Sequence, residues 1–480
     1  MVRDAAHESL LRPQRQLLHG RIVRALTERF LETEPELLAQ HCMEAGLIRQ
    51  AADYWQQAGQ QALARSAMAE AVAQLTRGLE VLARLPDGPA RQRLELGLQL
   101  ALGQALIAAK GFAVPETGRA YSRARELCRL LGDVPELFPA LYGRSVHHLH
   151  RGELAAAHEV ARELLRSAED RGDAAAQVTG HRMVGGVLWQ LGKLTESRNH
   201  FEAALALYDP VRDRTSALVY VIDSRVMCLS WLSHVLFILG YPRQAMARYG
   251  EALAFARELA HPNTTAAVLA PMGCVLHQLL RDRQTAHELA GAAMLLAREQ
   301  GFPLYLAAGT IVRGWVLADG GRAEDGISEI RRGFADYSAT ESEMWSAYYF
   351  LGLLAEAQGR AGQAAAGLDL ASDAVDRADR TNAHWIEADL HRLRGELLLA
   401  LPEPERPEAE ACFLRALAVA REQGAKMWEL RVATSLARLW RDQGRRAEAR
   451  DVLALVCDWF TEGFDTADLK DAKALLDELG

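Results

Sequence analysis

Residues 239–259 read LGYPRQAMARYGEALAFAREL, and the eight residues before them read WLSHVLFI. The apolar run before Gly240 and the mixed run after it read as two helices joined by a tight turn. In the second helix Ala245, Tyr249, Ala252, Leu253 and Ala256 recur at steps of three and four, which places them on one helical face. Ala245 and Ala252 put almost no side chain between neighbouring helix axes, so another helix can approach closely. A lone hairpin of this kind cannot bury its own apolar face, so it requires copies.

The copies are present. An aromatic-bearing helix, a turn with Gly or Asp, and an Ala-rich helix recur in the same order along the chain. Turn markers stand at Gly111, Gly152, Gly192, Gly240, Asp282, Gly321, Gly359, Pro404 and Gly444, at a mean step of about 42 residues. Two helices of roughly 16–18 residues, each about 25 Å long, fill such a period and leave only short connections. The second helix often places a small residue about five positions after the turn, then a bulky one, then Ala before an apolar residue. Gly192, Ser197, Phe201, Ala204 and Leu205 fit this order, as do Gly240, Ala245, Tyr249, Ala252 and Leu253; Gly444, Ala449 and Leu453 fit its first half. This pattern resembles the tetratricopeptide repeat in an extended form. The fold expected is all-α, an α-solenoid of tetratricopeptide-like hairpins wound as a right-handed superhelix. Gly326, Gly333 and the glycines within 361–367 each weaken a helix by about 1 kcal/mol relative to Ala, so those copies are expected to be looser.

Composition agrees. Half of the residues are hydrophobic, only 7% are aromatic, and no sustained alternating pattern of the strand type occurs. A solenoid grows by stacking, so 480 residues need not imply several globular domains. The net charge of −8 comes from interspersed signs with no basic stripe, which argues against nucleic acid as a direct partner. The longest apolar stretch, 94–109, is broken by Glu95, Gln99 and Gln104 and falls short of the roughly 18 apolar residues of a membrane helix. No membrane partner and a cytoplasmic location are therefore expected. The start of the chain lacks a charged segment followed by an apolar core, so no secretory signal is read. The six cysteines, at 42, 128, 228, 274, 412 and 457, are scattered and form no Cys-x-x-Cys pair, which reads as reduced core thiols.

The first 45 residues differ from the rest. Gln14 to Phe30 shows a helical face with Leu17, Leu18, Ile22, Ala25 and Leu26, and Pro35 stands where a second, short helix would begin. Val2-Arg-Asp-Ala-Ala-His-Glu-Ser-Leu-Leu-Arg12, Gln16-Leu-Leu-His-Gly-Arg-Ile22 and Glu36-Leu-Leu-Ala-Gln-His41 resemble the junction, in large bacterial signalling ATPases, between a winged-helix domain and a tetratricopeptide-like array. Further on, Gln300-Gly-Phe-Pro-Leu304, Gly314-Trp315, Leu390-His-Arg-Leu-Arg-Gly-Glu-Leu-Leu398, Ala409-Glu-Ala-Cys-Phe413 and Trp459-Phe-Thr-Glu-Gly-Phe-Asp-Thr466 resemble the arrays attached to class III adenylate/guanylate cyclases of this type. The resemblance implies catalytic modules that would precede Met1, so this chain is expected to carry the sensor array and not the catalysis. The organisation expected is a junction-like segment over 1–45, the array over 46–464 and a capping helix over 465–480. Asp465 and Thr466 are good helix starters there, and Leu469, Ala472, Leu475, Leu476 and Leu479 form one face.

Catalytic patterns fail on spacing. Gly186-Val-Leu-Trp-Gln-Leu-Gly192-Lys193 approaches a phosphate loop, but its glycines are one residue too far apart and Leu194 stands where Ser or Thr would hold magnesium. Gly143-Arg-Ser145-Val-His147 lacks the second Gly of a nucleophile elbow. His287-Glu288 is followed by Gly291 where a zinc protease needs its second His. His147, His148 and His150 are the best metal candidates, yet a helix end before the Gly152 turn explains them equally. Trp189, Trp231, Trp315, Trp345, Trp385, Trp428 and Trp440 allow an aromatic ligand pocket, although first-helix core packing is the ordinary reading. Glu341 and Glu343 fall in a connection. No catalytic, cofactor or metal residue is assigned and no cofactor is expected. The function expected is a non-enzymatic interaction and sensor scaffold of a bacterial signalling protein, binding a protein or peptide partner or a small effector on the concave face of first helices. The alternative is the regulatory part of a nucleotide cyclase or P-loop ATPase whose catalysis another polypeptide supplies.

Overall fold

The computed structural model describes residues 11–30, 33–65, 67–132, 134–214, 219–344 and 346–480. Residues 2–10 of the junction-like segment and Trp345 lie outside them. Among the described residues the chain forms 23 helices and no strand. It divides into two compact units, Met1–Arg144 and Ser145–Gly480.

The first unit holds α1 (Arg12–Arg29), α2 (Pro35–Glu44), α3 (Ile48–Ala64), α4 (Met68–Leu82), α5 (Pro89–Lys110) and α6 (Pro115–Leu131), followed by the start of α7 (Leu137–His150). Consecutive helices pack as hairpins over small residues. Ala52, Ala62, Ala71, Leu75 and Leu98 form one buried cluster, and Val23, Ala39, Cys42, Ala51 and Trp55 another.

The second unit continues with α8 (Leu154–Asp170), α9 (Ala174–Gln190), α10 (Leu194–Leu207), α11 (Ser224–Ile238) and α12 (Pro242–Leu259). The decisive stretch behaves as read. Gly240 turns with φ 95°, Pro242 opens α12, and Ala245, Tyr249, Ala252 and Ala256 are buried. Next comes α13, built from Pro262–Ala267, a π-helical turn Val268–Cys274 and Val275–Leu279. Pro271 lies inside that turn and has no N–H to donate, so the helix widens there. Side chains serve carbonyls of the widened segment: His234 Nε2 lies 2.8 Å from the Met272 oxygen and Tyr249 Oη donates to the Val268 oxygen at 3.4 Å.

Then follow α14 (Arg283–Gln300), α15 (Pro303–Asp319), α16 (Ala323–Ser338), α17 (a π-helical turn Ser346–Phe350 continued by Leu351–Arg360), α18 (Ala364–Thr381), α19 (Glu387–Leu399), α20 (Arg406–Gln423), α21 (Lys426–Asp442), α22 (Arg446–Cys457) and α23 (Ala467–Leu479). Two expectations change here. The α15–α16 hairpin is tight, not loose: a Cβ on Gly326 would lie 2.5 Å from the Gly314 carbonyl oxygen, and one on Gly333 would lie 3.0 Å from the Ile311 nitrogen. These glycines give up helix propensity and let two backbones touch. The turn expected at Gly359 falls at Gly362, because Gly359 lies within α17 against Leu397.

Candidate functional site

In the second unit the first helices of early hairpins meet the first helices of late ones. Trp189 on α9 packs on Trp385, with ring centroids 4.9 Å apart, and Tyr349 on α17 lies 5.7 Å from the same indole. Phe237 on α11 meets Trp428 on α21 edge-on at 6.1 Å. Trp189, Trp385 and Trp428 are fully buried. Hydrogen bonds across wide sequence separations fix this contact. Tyr348 Oη donates to Gln190 Oε1 at 2.6 Å, Gln190 Nε2 donates to the Met344 oxygen at 3.1 Å, and the His384 amide donates to the Gln190 oxygen at 2.8 Å. The chain thus covers much of this inner face with its own later repeats.

What stays open on that side is a charged groove of about 200 Å³, bordered by the end of α13 and by α15, α17, α19, α21 and α23. Its lining carries six carboxylates and five guanidiniums, most of them in ion pairs. Arg431 bonds Asp468 at 2.8 Å and the Leu279 carbonyl, and its guanidinium lies 5.0 Å over Trp428. Arg392 bonds Asp389 at 2.5 Å and Glu396 at 2.7 Å. Arg360 holds Asp319 at 2.9 Å and Glu356 at 2.8 Å, while Arg281 holds Asp471 at 2.7 Å. Burial alone would raise the Asp389 carboxyl, but Arg392 and Arg431 outweigh it and hold the group below the usual range. Sequence reading did not find these residues, because their pairing joins helices far apart in the chain.

A second cavity, about 500 Å³, lies beside the Gly192 turn. It holds Asp379, His384 and Glu387, whose ligand atoms lie within 4.8 Å of one another, the group among the described residues whose geometry could hold a metal. Its central carboxylate is already engaged: His384 Nδ1 is 2.8 Å and Arg415 Nη2 3.1 Å from Glu387. Hydrogen bonds from His384 and His391 hold the Glu387 carboxyl well below the usual range, and the bond to Glu387 raises His384. A metal would have to displace these partners. Nothing in the sequence announced the trio, which spans the end of α18, the turn after it and the start of α19.

The residues singled out by sequence are placed as follows. His148 Nδ1 is 2.6 Å from Glu153, whereas His150 is buried with Nδ1 3.0 Å from Ser342 Oγ, so the histidines do not converge on a common point. Burial pushes the His150 pKa down to about 3. Gly186 faces the Trp231 ring and Gly192 turns against Gln423, so the phosphate-loop lookalike consists of packing glycines. Ser145 is buried and donates to the Ala157 carbonyl at 3.2 Å. His287 and Glu288 are exposed. Trp231 and Trp315 are buried, and Trp440 donates to Glu410 at 2.7 Å. None of the six cysteines is in a disulfide, and four of them are buried. Among the described residues no helix is long and apolar enough to cross a membrane.

These packing rules define a helical-repeat array of the tetratricopeptide-like class, and a solved structure shares the fold. A Rap protein complexed with competence and sporulation factor matches 78% of this chain and 99% of its own, with a TM-score of 0.56 at 14% identity. A signal transduction ATPase with numerous domains (STAND) carrying a tetratricopeptide repeat sensor, from Pyrococcus horikoshii, matches 81% of this chain and 56% of its own, with a TM-score of 0.41 at 13% identity. An uncharacterized protein of Rhizobium meliloti (strain 1021) is 26% identical over 458 residues, covering 92% of this chain and 43% of that protein. The chain therefore spans less than half the length of the curated relative it matches. No protein-family profile matches it.

Proposed function

We propose that this chain is a non-catalytic interaction and sensor scaffold of a signalling system, with a protein or peptide partner engaging the first-helix side of the second unit. The observation that carries this reading is the charged groove, which draws side chains from six successive first-helix elements onto one surface. Such a surface offers spaced charges for recognition without burying any of them alone. The segment 1–45 serves as the junction to a further module and 465–480 as the cap of the array. The test is affinity capture from native extract with the wild-type chain and with Arg438→Glu at the groove edge. A partner retained by the first and lost by the second supports the reading. A partner set that does not change between the two sinks it.

A second reading makes the array the regulatory part of a P-loop ATPase or class III nucleotide cyclase, in the same polypeptide or in trans. The length of the Rhizobium meliloti relative, of which this chain covers 43%, favours it. An immunoblot of native extract separates the forms. A band near 52.9 kDa means an array acting in trans, and one of roughly double that mass or more means a longer protein.

A further inference from the structure

The cavity beside the Gly192 turn carries an excess of negative charge. Glu196, Asp379, Glu387 and Glu422 line it against two cationic side chains, Lys193 and Arg415. Even with His384 protonated, the carboxylates outnumber the positive groups, so the cavity favours a cationic guest. Three of its side chains are also close enough to hold one. An oxygen of Asp379, an oxygen of Glu387 and a ring nitrogen of His384 lie within 4.8 Å of one another. Ligand atoms placed about 2.0–2.2 Å from a metal stand roughly 3–4 Å apart, so small side-chain rotations bring these three onto one ion.

The backbone of His384 is pinned from two sides. Its amide donates to the Gln190 oxygen at 2.8 Å, and its carbonyl accepts from Gln423 Nε2 at 2.8 Å. The imidazole thus starts from a fixed base, which is what a ligand position requires. Asp379, at the end of α18, is exposed, and its carboxylate makes no hydrogen bond or ion pair among the described residues. Glu387 opens α19 and is 6% exposed. Its present partners can yield. His384 Nδ1 releases to solvent the proton it shares with Glu387 and becomes a ligand, and Arg415, whose side chain is 63% exposed, returns to water at little cost. An imidazole among carboxylates suits a transition metal, whereas calcium and magnesium take oxygen ligands. We propose that Asp379, His384 and Glu387 bind a divalent transition metal of the zinc type, with water completing its coordination. The ion joins the end of α18 to the start of α19 beside the Gly192 turn, where early and late repeats of the second unit touch. This goes beyond the scaffold reading and stands without it.

Isothermal titration and thermal melting of the full chain, stripped with EDTA and dialysed, test this at fixed ionic strength with zinc, magnesium and calcium chlorides. Saturable zinc binding is expected with a dissociation constant of about 10 μM or below. It should raise the melting temperature where magnesium and calcium do not. Cobalt(II) bound at the site should give a visible absorption spectrum that zinc then abolishes. Asp379→Asn, at an exposed position, should weaken zinc binding tenfold or more. His384→Gln should weaken it further and remove the cobalt spectrum, with the fold intact by circular dichroism. Three results would overturn the proposal: no saturable zinc binding up to about 1 mM, magnesium or calcium binding as tightly as zinc, or zinc affinity unchanged in either variant. The last would place the ion elsewhere, as at the His181 and His200 pair, whose Nδ1 atoms are 2.9 Å apart. Loss of zinc binding with partner capture retained would remove the metal site and leave the scaffold standing.

Discussion

The first helices of the two units handle their open faces in opposite ways. In the first unit, α3 presents Gln50, Gln57 and Gln60 to a groove of about 800 Å³ beside α1, and all three are exposed. In the second, α11 buries every residue from Val226 to Ile238, and α9 buries a continuous run from Arg182 to Gln190. A helix buried on all sides must be covered twice, once by its hairpin partner and once by something beyond it. For α9 and α11 the second cover is α17, α19 and α21. One repeat pattern therefore gives an open polar face where the first helix is amphipathic, and a closed one where it is apolar all round.

The difference breaks most sharply at Trp385, which is fully buried and packs on both Trp189 and Tyr349. Trp385→Ala removes a large buried side chain and should destabilise the second unit by about 3–5 kcal/mol. Denaturant unfolding gives the size of the loss, and hydrogen exchange of α9 amides shows where it falls. If α9 protection is unchanged, the two sets of helices do not support each other.

Acid should act on the same contact. Burial lowers the pKa of His150 to about 3 and that of His234 to about 4, from 6.5. Both folded values lie below the unfolded one, so the folded state binds fewer protons. The stability these residues contribute is present above pH 6.5 and is lost as pH falls toward 4. At pH 5.5 the loss should be about 1.4 kcal/mol for each histidine, relative to high pH. Urea midpoints measured from pH 8 to 5 check this, and a His234→Gln variant should show a shallower slope. Burial also lowers His41 on α2, beside α3, so amides of the first unit should share the direction of this trend.

Gln190→Leu sharpens the comparison further. It keeps the bulk and removes both side-chain bonds of Gln190, while Tyr348 Oη can still donate to the Met344 carbonyl at 2.6 Å, so the cost should be about 0.5–1.5 kcal/mol. Gln57→Ala, on the exposed face of α3, should stay within about 0.5 kcal/mol of wild type by the same unfolding assay.

Much of the closed face was legible in outline but not in partner. The run WLSHVLFI before Gly240 is apolar on every side, which says that α11 is covered twice. It does not say by what, because the covering residues Trp428 and Arg431 lie almost two hundred positions later and share no period with it. Local signals served well wherever contacts were local: Ala245, Ala252 and the Gly240 turn set the hairpin. They misled at Gly326 and Gly333, where propensity argued for looseness and close approach of two backbones won. The groove charges were invisible for the same reason as the closed face, since Asp389 and Asp468 are brought to Arg431 only by the stacking of α19, α21 and α23.

A smaller and more local effect is expected where the decisive stretch meets the end of the array. The first amides of α12 have no partner within their own helix. The Glu462 carboxylate supplies one from the segment before α23, accepting from the Arg243 amide at 2.9 Å and the Gln244 amide at 3.1 Å. Tyr241 packs on Trp459 beside it, with ring centroids 5.5 Å apart. A negative charge at a helix start stabilises by about 0.3–1 kcal/mol when exposed. Glu462→Gln keeps an acceptor oxygen and removes the charge, so it should cost no more than that, and added salt should shrink the difference. Faster exchange confined to the Arg243 and Gln244 amides would show the cap acting locally. Faster exchange spreading through α11 and α21 would show instead that the end of the array helps to hold the closed face shut.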